Sequence, residues 1–318
     1  MPAILRRLLG QGLTLLFERE NHMLVNKKIK KHMVLLLFVL PALVFYLTFM
    51  LAPAFGGIWY SFTNWNGLNR TYRFIGLSNY AEAIFEDPNF KHSILFTLKY
   101  VVCIVILQNA IALFLAVLIE SRRKSKVLFR TVYFMPNILS MIIAGYMWLF
   151  IFTKVTAYLA NLTPLFSFLN QSWIGDTNYS FISILVVSLW GGVGYQMVIY
   201  IAAIQSVPQN LKESAVIDGA TAFQAFRYVT LPMITHALTI GIFLTLNSSI
   251  KVFDIVFSLT GGGPGWDTQA ISLNIFEEAY KMHNRYGYAS AKAIILFMIV
   301  FIITLVQLYV MKKKEIEA

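Results

Sequence analysis

The stretch Val207–Met233, VPQNLKESAVIDGATAFQAFRYVTLPM, is a polar island between two long apolar runs. Its spacing predicts two short helices with a bend between them. Pro208 suits a first helical turn, where its missing N–H costs nothing, and Leu211, Ala215, Val216 and Ala220 then recur at helical spacing. Gly219 reads as the stop of the first helix. Thr221 reads as the cap of the second, with Gln224 three residues on completing a capping box. Leu231-Pro232 is expected to end that helix and admit the next apolar run.

On both sides of the island the composition sets the class. Of 318 residues, 58% are hydrophobic and 13% charged, against about 25% charged in a soluble domain. An all-α polytopic membrane protein follows. Six apolar runs are each long enough for the roughly 20 residues of a spanning helix: Met33 to Leu51, Ile94 to Ile119, Thr131 to Thr153, Phe181 to Ala203, Met233 to Phe257 and Ala291 to Met311. The expected layout is a cytoplasmic segment 1–32, a six-span region 33–311 containing the cytoplasmic loop 207–232, and a basic tail 312–318.

Orientation follows from the basic residues, which stay on the cytoplasmic side of spans. Lys27, Lys28, Lys30 and Lys31 precede the first span, Arg122, Arg123, Lys124, Lys126 and Arg130 lie between the second and third, and Lys312, Lys313 and Lys314 follow the sixth. An even number of spans puts these patches, both termini and the island on one side, with Glu82, Glu86, Asp87, Asp176, Asp267, Glu277 and Glu278 on the other. The net charge of +11 is thereby matched to anionic lipid, and no nucleic acid is called for. Residues 1–22 read either as an amphipathic interfacial helix or as a segment ahead of a start at Met23.

The single cysteine, Cys103, has no partner in the chain, and the five histidines fall into no HExxH or Cys/His cluster. No metal site or cofactor is expected. The glycine run Gly261-Gly262-Gly263-Pro264-Gly265 lacks the Gly-Lys-Ser/Thr of a phosphate loop and lies outside the cytoplasm, so it reads as a mobile turn over a pore or against a partner. The aromatics of the first external loop, among them Trp65, Tyr72 and Tyr80, read as an interfacial belt or part of a docking surface.

Polar groups within spans are few and costly unless paired. Trp190, Tyr195, Gln196, Asn247, Ser248, Lys251 and Asp254 are the candidates for a substrate path; helix-to-helix hydrogen bonding is the competing role. The glycines of Trp190-Gly191-Gly192-Val193-Gly194-Tyr195 permit either tight helix packing or a loosened helix beside a cavity. Lys251 lies about 27 Å along the fifth span, where it is expected to snorkel outward and pair with Asp254.

The island resembles the EAA loop of binding-protein-dependent ATP-binding-cassette (ABC) import permeases. The pattern reads Glu213-Ser214-Ala215, three residues, Gly219, nine residues, then Val229-Thr230-Leu231-Pro232, with Ser214 replacing Ala and Val229 replacing Ile. Asp218-Gly219-Ala220, Val252-Phe253-Asp254 and Leu259 to Gly265, with Phe74-Ile75-Gly76-Leu77-Ser78-Asn79-Tyr80, resemble the sugar-importing branch of maltose-type and glycerol-phosphate-type permeases. The likeness covers most of the chain after residue 30.

That resemblance implies six transmembrane helices of the type I ABC importer permease fold, in a bacterial or archaeal plasma membrane. It implies a second permease subunit, distinct from this one, two cytoplasmic ABC ATPases and an extracytoplasmic solute-binding protein. Glu213, Ser214, Ala215, Asp218, Gly219, Ala220, Leu231 and Pro232 would contact the ATPase or transmit its motion. Mg-ATP would sit on the ATPase, leaving this chain non-catalytic. Import of a non-sugar solute (amino acid, peptide or phosphate ester) and proton-coupled secondary transport stand as alternatives, the latter served only by Lys251 and Asp254.

Overall fold

The computed structural model describes residues 33–121, 125–282 and 284–316. The proposed start at Met23, the N-terminal segment, and the basic residues 27–31 and 122–124 lie outside the described residues. The chain divides into two units, through Trp59 and from Tyr60 onward. The first contributes one apolar helix, α1 (Met33–Tyr60), with a π turn at Leu47–Leu51.

In the second unit, α2 (Pro88–Glu120) and α5 (Thr177–Ser206) are the long central helices and pack along one another. Each starts on an aspartate: Asp87 accepts from the Phe90 amide at 2.9 Å, and Asp176 accepts from Asn178 and Tyr179 at 2.9 and 3.2 Å. These carboxylates satisfy free N–H groups and face the positive helix ends. Between them lie α3 (Lys126–Phe134) and α4 (Met141–Leu162). The expected continuous span from Thr131 to Thr153 is therefore broken and shifted. Pro136 cannot continue a helix; a 3-10 turn at Met135–Ile138 and extended backbone at Leu139 and Ser140 separate the two pieces.

The hairpin follows as α6 (Gln209–Ile217) and α7 (Ala222–Met233), then α8 (Thr235–Ile250). The path turns by 70° between α7 and α8. A break at Lys251–Phe253 interrupts the expected fifth span before α9 (Asp254–Leu259), and α10 (Ile271–Glu277) and α11 (Tyr286–Ile316) complete the chain. Among the described residues, five helices are long and apolar enough to cross a membrane, and six if the bent α7–α8 pair counts as one span.

Two large apolar clusters fill much of the second unit, beside a smaller one of Ala83, Phe90, Ile271 and Tyr288. One joins Phe96, Tyr100 and Ile104 of α2 to Ile184 and Val187 of α5, Val256 and Leu259 of α9, and Leu273 of α10. The other joins Ala112, Ala116 and Ile119 to Met197, Tyr200, Ile201 and Ile204, and takes in Val207 and Ile234 beside the hairpin. The glycines of α5 serve packing, since the helix is unbroken: a Cβ on Gly194 would lie 2.0 Å from the Tyr133 carbonyl oxygen, and one on Gly191 2.2 Å from Met141 Cε.

The bundle end opposite the hairpin is tied by charge. Lys292 of α11 is fully buried, and its Nζ lies 2.8 Å from Asp87 Oδ2, 3.1 Å from Glu278 Oε2 and 2.9 Å from Asn274 Oδ1. Tyr288 donates to Asp87 at 2.9 Å, and Arg285 grips Glu82 through two hydrogen bonds of 2.7 and 2.8 Å. A charge this far from water persists only when each neighbour is satisfied as well. The glycine run nearby closes on itself through Thr268, which donates its amide to Gly262 O and its hydroxyl to Thr260 Oγ1.

Candidate coupling hairpin and transport cavity

The hairpin is set by its termini. Gly219 adopts φ +80°, its N–H reaches Val216 O at 3.1 Å, and the Ala220 N–H reaches Ala215 O at 2.9 Å. This is a Schellman close, in which glycine takes the left-handed position without steric cost. Thr221 then starts α7 with both arms of the capping box in place: the Gln224 amide donates to Thr221 Oγ1, and the Thr221 amide donates to Gln224 Oε1 at 2.8 Å. Pro208 is the residue ahead of α6 rather than within its first turn. Leu231 and Pro232 do not end the second helix; they lie inside it, and it stops at Met233 because the chain bends at Ile234.

Glu213, Ser214, Asp218, Gly219 and Pro232 are exposed, while Ala215, Ala220 and Leu231 are half-buried. Glu213 accepts one hydrogen bond, from Gln209 at 3.2 Å. Of the apolar side chains between them, sequence reasoning counted Val216 at helical spacing and passed over Ile217, Phe223 and Tyr228. Val216, Ile217, Phe223 and Tyr228 are 67, 84, 72 and 74% exposed, an apolar patch on an otherwise polar loop of the kind that marks a protein contact. The signal was available, since Ile217 and Phe223 are bulky apolar residues on either side of the Gly219 turn.

The hairpin is rooted firmly. Lys212 donates to Ile204 O at 3.0 Å, and Val207 and Ile234, the residues beside its two ends, are 5 and 2% exposed within one apolar cluster. Nearby, Glu120 holds Lys126 at 2.6 Å and Arg130 at 2.9 Å and accepts from Gln205 at 3.3 Å, tying α2, α3 and α5 together.

Higher in the bundle, a cavity of about 510 Å³ opens between α2, α5, α8 and the break before α9. Tyr195, Gln196, Ser248, Lys251 and Asp254 line it, as do Tyr100, Gln108, Asn137, Ser188, Thr245 and Ser249. Trp190 and Asn247 do not. Trp190 packs edge-on against Trp148 with centroids 5.6 Å apart, and Asn247 turns back to Phe243 O at 3.2 Å. The expected Lys251–Asp254 ion pair is absent among the described residues. The helix stops between the two residues, so they are no longer one turn apart on a common face. Irregular backbone of this kind is tolerated at membrane depth where it borders a cavity. Asn137 was missed because the Pro136 break brings it inward, where it donates to Gly191 O at 3.3 Å.

Residues 108–315 match the family described as binding-protein-dependent transport system inner membrane component. The chain belongs to this family. Among its relatives is the probable starch degradation products transport system permease protein AmyD of Thermoanaerobacterium thermosulfurigenes, 39% identical over 88% of this chain and 94% of that protein. The multiple sugar-binding transport system permease protein MsmF of Streptococcus mutans is 32% identical over 88% of this chain and 95% of its own length. A crystal structure of a bacterial ABC transporter that imports the acidic polysaccharide alginate contains a chain of the same fold, at a TM-score of 0.79 and 21% identity over 90% of this chain and 98% of that one. This family member is thus a membrane-embedded, multi-pass transport permease, as the EAA spacing implied.

Proposed function

We propose that this permease forms half of the translocation path of an ATP-driven importer of sugars or oligosaccharides, and that Val207–Met233 is its contact with the ATPase. The observation that carries the reading is connectivity. The hairpin stands between α5 and α8, two helices that line the cavity, and its ends are anchored at Val207 and Ile234 in one buried cluster. A force on the exposed patch therefore reaches two cavity walls together. The sugar assignment is supported by AmyD and MsmF, whose names place them in sugar transport.

In the proposed cycle a binding protein delivers sugar at the end opposite the hairpin, where Lys292 and Arg285 brace the surface. A second, different permease closes the other side of the cavity. Two cytoplasmic ATPases hydrolyse ATP, dock on the hairpins and rock the helices between outward- and inward-open states. Glu213 offers the polar contact, Ala215 and Gly219 the close approach, and Leu231 and Pro232 the stiff continuation of α7 into the bend. Both chain termini then lie in the cytoplasm. Glu213→Arg combined with Gly219→Trp is expected to abolish uptake and ATPase co-purification while leaving membrane insertion intact. Uptake at the unaltered rate would refute the assignment of the hairpin.

A further inference from the structure

We infer that the cavity passes neutral saccharides and discriminates against acidic ones, through Lys251 and Asp254 at the break between α8 and α9. The inference rests on the reading of that cavity as the sugar path.

Most polar groups of the lining are already committed within the protein. Tyr100 donates to Ser188 Oγ at 2.9 Å, Gln108 to Gly192 O at 3.2 Å, and Asn137 to Gly191 O; Ser248 and Ser249 donate to carbonyls of their own helix at 3.0 Å each. Four groups are uncommitted. Lys251 and Asp254 are exposed and make no side-chain hydrogen bond or ion pair among the described residues, the Tyr195 hydroxyl makes none, and Gln196 Nε2 is buried without an acceptor in hydrogen-bond geometry.

Lys251 and Asp254 are the charged side chains of the lining. The end of α8 favours the cation and the first turn of α9 favours the anion, so both charges are held in place without each other. Their sum is zero. A saccharide hydroxyl can donate to the carboxylate while a second accepts from the ammonium, leaving the balance unchanged. A uronate or phosphate ester that reaches for Lys251 brings its negative charge beside Asp254 as well, and at a partly enclosed protein surface that repulsion is less screened than in bulk water. Both chemistries occur among similar proteins: one relative is named for starch products, and one chain of the same fold belongs to an importer of acidic alginate.

The test uses the complete complex with its native second permease and ATPases, carrying Leu244→Cys in a Cys103→Ser background, with labelling read on this chain after the subunits are separated so that its one thiol reports on the cavity. Its rate of modification by a neutral maleimide is followed against increasing maltotriose, raffinose or an oligouronate trimer. At least one neutral trisaccharide is expected to protect at a concentration about tenfold or more below the acidic trimer, the scale of one charged hydrogen bond gained or lost. Asp254→Asn should narrow that ratio and Lys251→Gln widen it; the second variant carries the test if the first does not assemble. Equal protection by neutral and acidic sugars, or a ratio that neither variant moves, overturns the charge inference and leaves the cavity reading standing. Labelling that no sugar slows overturns the cavity reading itself.

Discussion

At the level of single residues, glycines in this fold divide by what surrounds them. Gly194 is closed off by the Tyr133 carbonyl 2.0 Å from where a Cβ would lie, whereas nothing stands within 4 Å of a Cβ on Gly219. Gly194→Ala must therefore part α3 from α5, at a cost of about 1–3 kcal/mol for overpacking, and thermal unfolding of the purified complex should record a lower midpoint. Gly219→Ala meets no neighbour but strains a left-handed backbone by about 1–2 kcal/mol. Its expected mark is a fall in sugar-stimulated ATPase activity larger than its loss of stability. Lys292 is a different case. Lys292→Met leaves Asp87 and Glu278 without their shared cation, which costs about 3–5 kcal/mol when a buried pair loses one member, and Asp87→Asn in the same chain should recover part of it. Burial pushes the Asp87 carboxyl up, but hydrogen bonds from Lys292, the Phe90 amide and Tyr288, with the charge on Lys292, outweigh it and hold the group below its ordinary value. A depressed carboxylate stabilises the fold above the usual range, and that contribution disappears as pH falls below about 4. The acid limb of the stability curve should flatten in Lys292→Met; a limb of unchanged steepness would mean Asp87 is not its source.

Among elements, the hairpin was legible from sequence almost to the residue, because its signals are local. A left-handed glycine and a Thr/Gln capping box act within four residues and need no tertiary context. The breaks were harder. Pro136 stood in plain view inside an apolar run, but a proline in a membrane helix can kink it or end it, and packing decides which. At Lys251–Phe253 no proline or glycine announces the stop; the chain departs from α8 because α9 packs against α4. Lys292 was unreadable for the same reason, since Asp87 lies about two hundred residues away. What the hairpin does is best tested on its exposed apolar side chains. Ile217→Ser with Phe223→Ser alters residues that touch little within the chain, so stability should change by less than about 0.5 kcal/mol each. ATPase capture by the purified permease should nevertheless fall by an order of magnitude. Retention of the ATPase at the original affinity would show that the patch faces something else.

For the molecule as a whole, orientation is the property on which the proposed cycle depends, and charge alone supports it. Lys126 and Arg130 lie at the hairpin end of the bundle, joined through Glu120 to Gln205, while Asp87, Glu82 and Glu278 gather at the opposite end. Basic residues flanking spans are retained on the cytoplasmic side, so the hairpin should face the cytoplasm and the Trp65–Tyr72 loop the exterior. In a Cys103→Ser chain, Asn69→Cys is therefore expected to react with a membrane-impermeant maleimide in intact cells. Phe223→Cys should react only after the membrane is opened. Asn69 and Phe223 lie in exposed segments of this chain, and with the ATPase stripped from the opened membranes before labelling, burial does not decide the result. Labelling of both from one side would require an even number of crossings between them. The 16-residue α8 would not alter that parity, because it follows Phe223; the crossings counted are α2, α4 and α5, three in all. An inside–outside difference at these two positions thus tests the bent path of α3 and α4 as well as the sidedness, since a shallow α4 that failed to cross would return Phe223 to the outer surface.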